Sequence, residues 1–137
     1  MFFQIDPHNG VAIYDQVVRQ IVYAVADEMI KPGELVPSVR ELAKQLAINP
    51  NTVTRAYREL QSHLILETVR GTGLQVADKA TRICQRKRHE LIRLRLQDVL
   101  REAIQSGLED GDLESMFSDE LKKSKRQVAA ERKEMQT

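Results

Sequence analysis

Tryptophan is absent, aromatics make up 4% of the chain, and cysteine occurs once. With so few rings, a core has to be assembled from Leu, Ile, Val and Ala. The lone Cys84 excludes an intramolecular disulfide framework and fits a reducing compartment. It lies in a helical apolar pattern and reads as a buried thiol, not a nucleophile or metal ligand. No apolar run approaches the roughly 18 residues of a membrane span. Met1-Phe2-Phe3 with its early Asp6 does not read as a secretory leader. A cytoplasmic protein with no membrane partner is expected. His8, His63 and His89 are scattered, and neither a metal-ligand spacing nor a Ser/His/Asp set emerges. The residues give no support to an enzyme, and no cofactor or metal is expected.

What is present is a chain of 137 residues, 42% hydrophobic and 30% charged, long enough for one domain or a small domain with an appendage. The net charge of +1 conceals an uneven distribution. Residues 1–77 carry net −1, residues 78–95 net +5, residues 96–121 net −7 and residues 122–137 net +4.

The stretch from Pro37 to Tyr57 reads as two short helices joined by a tight turn. Ser38 and Glu41 form S-x-x-E, a capping box in which the serine accepts from a backbone N–H three residues on and the glutamate reaches back to the serine's own N–H. Val39, Leu42, Ala43 and Leu46 then recur at helical spacing. Asn49 suits an N-cap and Pro50 a first helical position, so a second helix is predicted from Pro50 to about Ser62. On a helical wheel Val53, Ala56, Tyr57 and Leu60 share one side, and Asn51, Thr54, Arg55 and Arg58 the other. An amide, a hydroxyl and two guanidinium groups are side chains that read base edges and grip phosphates. A helix pair of this kind, cationic on the outer face of its second member, is a helix-turn-helix pattern. The plainer alternative is a solvated face on an ordinary bundle.

The flanks favour the first alternative. Residues 1–10 read as an extended arm ending in turns at Asp6-Pro7 and Asn9-Gly10. Ile13, Val17, Ile21 and Val25 predict a helix over about Ala12 to Met29, stopped by Lys31-Pro32-Gly33. Glu34-Leu35-Val36 is predicted to be extended before Pro37. After the helix pair, Leu64 to Val69 and Leu74 to Val76 are β-prone runs around Arg70-Gly71-Thr72-Gly73 and read as a hairpin. Behind a helix-turn-helix such a hairpin is a wing, and an arginine at its tip suits a narrow minor groove. A plain surface loop is the other reading. No helix opens after the glycines, so this is not a phosphate loop.

Residues 78–106 read as a long helix whose apolar side chains drift round it. Ala80, Ile83, Cys84, Leu91 and Leu94 lie on one side, and Ile92, Leu96, Val99, Leu100 and Ala103 further round. So wide a surface calls for the winged domain and something else. A second amphipathic helix is predicted from Asp112 to at least Lys123, and the basic remainder reads as a solvated, fraying tail, with an auxiliary phosphate contact as the alternative. Packing against a second copy of the chain is the economical way to cover these helices. A groove for another protein or for a hydrophobic effector is the alternative. The expected fold is therefore mainly α with a small β-hairpin: a winged helix-turn-helix domain over 1–77, then a short two-helix dimerisation region with a basic tail over 78–137.

Ile13-Tyr14-Asp15-Gln16-Val17, Lys31-Pro32-Gly33, Pro37-Ser38-Val39-Arg40-Glu41-Leu42-Ala43, Asn49-Pro50-Asn51-Thr52-Val53-Thr54-Arg55-Ala56-Tyr57 and Arg70-Gly71-Thr72-Gly73 follow in an order that resembles the GntR family of bacterial transcription regulators. The resemblance covers about residues 11–77. The two helices and tail that follow resemble its YtrA-like subfamily, whose short helical region serves mainly for dimerisation and whose members often repress operons encoding ABC transporters. Relatives usually carry a glycine where this chain has Ala47, many have one near Leu64, and many have an arginine where it has Pro50. The resemblance implies that Arg40, the Asn51-to-Arg58 face, Arg70 and Gly71 touch DNA.

The expected function is sequence-specific regulation of transcription, as a homodimeric repressor of a transporter-type operon. The recognition helix 50–62 enters the major groove and the wing 66–76 reaches the adjacent minor groove of an inverted-repeat, double-stranded DNA operator. Arg55 and Arg58 lead as base or phosphate contacts, Asn51, Thr52 and Thr54 lie near the DNA, and Arg40 grips phosphate. A small-molecule effector is conceivable, but no residue set marks one. The alternative from another class is a winged-helix protein-interaction module whose helical end recruits a partner.

Overall fold

The computed structural model describes residues 5–136, so the first four residues of the expected N-terminal arm lie outside the described residues. Five helices and one hairpin follow in the order α1 (Ile13–Ala26), α2 (Val39–Leu46), α3 (Pro50–Ser62), β1 (Leu66–Val69), β2 (Gly73–Val76), α4 (Ala80–Gln105) and α5 (Asp110–Gln136). The chain divides into two compact units, one reaching to Ile92 and the other starting at Arg93. The division falls within α4.

The core of the first unit comes from the stripes seen in the sequence. Val17, Ile21 and Val25 of α1 are fully buried, as are Leu42 of α2 and Val53, Ala56 and Leu60 of α3. Ile65, Leu66 and Val76 close the core from the wing, and Ala80 and Cys84 from the start of α4. Burying a Val, Leu or Ile side chain is worth roughly 1.5–3 kcal/mol, so this apolar cluster, packing α1 and α2 on α3, is what holds the motif in shape. The hairpin is antiparallel, with Leu66 opposite Val76 and Val69 opposite Gly73. Glu34 to Val36 runs along its outer edge: Val36 N–H donates to Leu74 O at 2.9 Å and Val76 N–H to Glu34 O at 2.9 Å.

Four helices end in the same way. The N–H groups of Met29, Ile48, Ile65 and Leu108 donate to the carbonyls of Ala24, Ala43, Leu60 and Ala103, closing α1, α2, α3 and α4 with Schellman turns. The residues in the left-handed position are Glu28 (φ 59°), Ala47 (φ 54°), Leu64 (φ 63°) and Gly107 (φ 92°). Three of the four carry a Cβ where glycine is favoured. The turn at Glu28 also ends α1 at Ala26, short of the expected Met29.

In the second unit α5 is one continuous helix to Gln136, so the expected fraying tail is corrected. After Gly111 the chain contains neither glycine nor proline, and Lys, Arg, Glu, Gln and Ala dominate. These are good helix formers, a property that the basic character of the tail obscured. No residue of α5 is buried. Val99, Ile104, Met116, Phe117, Leu121 and Val128 are all exposed.

Candidate nucleic-acid interface

The predicted recognition helix forms with the bounds expected. The Asn49 side chain accepts from Asn51 N–H at 2.8 Å and Pro50 occupies the first turn. Its inner side is buried through Val53, Ala56, Tyr57 and Leu60, while Asn51, Arg55 and Arg58 are exposed. Thr52 and Thr54 are half-buried. The Thr54 hydroxyl donates back to Pro50 O at 3.1 Å, which spends its proton within the helix and leaves its lone pairs free to accept.

The helix before it is held at its N-terminal end. Ser38 accepts from Glu41 N–H at 3.1 Å, as a capping box requires. The return contact differs from the expected one: the Ser38 hydroxyl donates to the Glu41 carboxylate at 3.0 Å, and the carboxylate does not reach the Ser38 N–H. The Tyr57 hydroxyl donates to Pro37 O at 2.7 Å, tying the middle of α3 to the residue that precedes the cap. Burial raises the Tyr57 phenol well above the ordinary tyrosine range, with the Glu41 carboxylate adding to the effect. The phenol therefore stays a neutral donor. Arg40 sits in the first turn of α2, exposed and, among the described residues, without an ion-pair partner.

Arg70 and Gly71 occupy the tip of the wing. Thr72 N–H donates to Val69 O at 3.0 Å, and Gly71 adopts φ 78°, a left-handed conformation that a Cβ would disfavour. Arg70 is exposed and unpaired among the described residues. Ser38 and Glu41 of α2 line the same groove as Thr72 and Gly73 of the wing, which places the start of α2 beside the wing turn. Arg40, the outer face of α3 and Arg70 thus belong to three neighbouring exposed segments. Together they offer four guanidinium groups and an amide with no carboxylate salt bridge among the described residues. Such an arrangement suits a polyanion.

Two side chains of α1, Tyr14 and Gln16, make contacts that the sequence does not announce. Arg55 carries its guanidinium carbon 3.7 Å from the centroid of the Tyr14 ring, in the first turn of α1. Gln16 is 6% exposed and clasps the segment before α1: its carbonyl accepts from Asp6 N–H at 2.8 Å, and its amide donates to Asp6 O, Asn9 Oδ1 and Val11 O. A glutamine within an apolar helical stripe was the available signal for the second. Nothing in the spacing links Tyr14 to Arg55, which lie 41 positions apart.

Cys84 is fully buried, and its thiol is pushed up to about 11 by that burial, which the nearby Lys87 partly offsets. Among the described residues no group of His, Cys, Asp and Glu side chains could hold a metal ion, and no helix is long and apolar enough to cross a membrane.

Residues 13–76 match the gntR family of bacterial regulatory proteins. The chain is similar to the HTH-type transcriptional repressor YtrA of Bacillus subtilis, with 37% identity over 106 residues, or 77% of this chain and 82% of that one. It is also similar to the HTH-type transcriptional regulator YhcF of the same organism, with 46% identity over 68 residues, half of this chain and 56% of that one. Among solved structures, a GntR family transcriptional regulator from Listeria monocytogenes superposes with a TM-score of 0.70 at 28% identity, covering 81% of this chain and 96% of that one. A transcriptional regulator from Oenococcus oeni gives 0.64 at 29% identity, covering 88% and 99%. These relatives are regulators rather than enzymes.

Proposed function

Because this chain belongs to the GntR family of DNA-binding transcription regulators, we propose that it acts as a homodimeric repressor that recognises an inverted-repeat operator through α3 and the wing. The observation that carries this reading is the set Arg40, Arg58 and Arg70, exposed and unpaired among the described residues, on three neighbouring segments, with Arg55 beside them. In this reading α3 lies in the major groove, where Arg58 and Arg55 meet base edges or phosphates and Asn51, Thr52 and Thr54 sit by the backbone. Arg40 grips a phosphate at the positive end of α2. Arg70 enters the minor groove, with Gly71 allowing the wing tip a close approach. The winged domain then spans 1–77, with 78–137 serving dimerisation.

Dimerisation is supported by the second unit. A helix of 27 residues with none buried does not satisfy its own apolar stripe. Phe117, Leu121, Val128 and Met135 offer that stripe along its length, and a twofold pairing covers it with one kind of contact. The similarity to a repressor over most of its length supports repression, and the resemblance of the two helices and tail to the YtrA-like subfamily is what favours a transporter-type operon as the target.

Selection of binding sites from a random duplex library at about 0.15 M salt tests this, because weak non-specific binding is suppressed there. Recovery of an inverted repeat, with half-sites about 34 Å apart or a multiple of that, is the expected result. Binding without an enriched motif points to a non-specific binder, and absence of binding to a required effector or to an interaction module.

A further inference from the structure

Tyr14 lies one helical turn before Val18, on an element whose buried side is fixed in the core by Val17, Ile21 and Val25. Its ring is half-buried, while Arg55 over it is exposed. A guanidinium carbon 3.7 Å from a ring centroid sits on the ring face, since an approach to the edge would hold it farther out. Stacking occupies the face of the guanidinium. The five N–H donors lie in its plane and point outward from the stack. Among the described residues none of them is given to a protein acceptor. A free arginine is a long, mobile side chain that loses rotamer freedom when it docks; one laid on a rigid ring has lost part of that freedom beforehand.

We propose that Tyr14 is a positioning residue for DNA recognition: its ring holds the Arg55 guanidinium flat, with the donor edge directed away from the protein and ready for a bidentate acceptor such as a guanine edge or a phosphate. The inference rests on the reading of α3 as the DNA-reading helix. It adds a residue of α1 to the recognition machinery, and it makes the entry of Arg55 into the DNA a matter of a preset side chain rather than a searching one.

A double-mutant cycle on the full-length protein tests it, with affinity for the selected operator measured by fluorescence anisotropy and folding checked by thermal melts. Tyr14→Leu is expected to weaken binding about three- to fivefold, the scale of one exposed cation–π contact. Tyr14→Phe, which keeps the ring, restores the affinity. Arg55→Ala weakens binding, and adding Tyr14→Leu to it causes no further loss. Tyr14→Met replaces the leucine variant if that variant melts below the assay temperature. An equal loss from Tyr14→Leu with and without Arg55 would overturn the proposal, as would unchanged affinity in Tyr14→Leu while Arg55→Ala binds weakly. Unchanged affinity in Arg55→Ala would instead remove Arg55 from the DNA contacts, and Tyr14 with it, while leaving Arg58, Arg40 and the wing to the wider reading.

Discussion

The Tyr57 hydroxyl reaches across from the buried side of α3 and donates a 2.7 Å hydrogen bond to the carbonyl of Pro37. One side chain thereby joins the helix that presents Arg55 and Arg58 to the turn from which Arg40 starts. Tyr57→Phe keeps the ring in the core and leaves the carbonyl without that partner. A loss of about 1 kcal/mol in urea unfolding is expected, the usual scale of one such bond. No change in the unfolding midpoint would mean that water replaces the phenol at no cost.

Ala47 and Leu64 hold left-handed conformations at φ 54° and 63°. The Cβ penalty there is about 1–2 kcal/mol, and glycine gives part of it back by being freer when unfolded. Ala47→Gly and Leu64→Gly should therefore each stabilise the protein by about 0.5–1 kcal/mol. Leu64 is 70% exposed, so little buried area is lost with its side chain. A lower melting temperature for both variants would contradict this account of the turns.

Arg58 and Arg40 should fail in different ways. Arg58→Ala is expected to cost about 1–3 kcal/mol on the selected operator and to relax one base position. Arg40→Ala should weaken all sequences alike and reduce the salt slope by about 1. Repeating the site selection with each variant and titrating salt separates the two. Uniform weakening by both would remove Arg58 from base reading.

Cys84 gives stability an alkaline dependence. Its folded thiol titrates at about 11 against an ordinary value of 9.0, so the folded state holds the proton more tightly. That contribution is complete below pH 9, falls away between pH 9 and about 11, and is gone above. Cys84→Ala should flatten the fall in melting temperature across that window, with some loss at neutral pH from the small cavity. An unchanged alkaline profile would assign the fall to other groups.

Much of this protein was determined by local chemistry and is therefore legible in the sequence. Asn49-Pro50 sets the start of α3 because cap and first-turn preferences act within a few residues. The stripes of α1, α2 and α3 name the core because a helix buries what recurs at its period. The wing is announced by Arg70-Gly71-Thr72-Gly73 between two β-prone runs. Even the left-handed turns at Ala47 and Leu64 fall where the resemblance places glycine.

Tertiary structure decided what depends on distant partners. The stack of Arg55 on Tyr14, the reach of Tyr57 to Pro37 and the clasp of Gln16 on Asp6 join segments whose separation in sequence carries no period. The division within α4 after Ile92 is of the same kind, because a helix continues through it without any local signal. Propensity and periodicity act over a few residues, whereas which side chains meet across the core depends on how the helices pack, and that is settled only when the chain has folded.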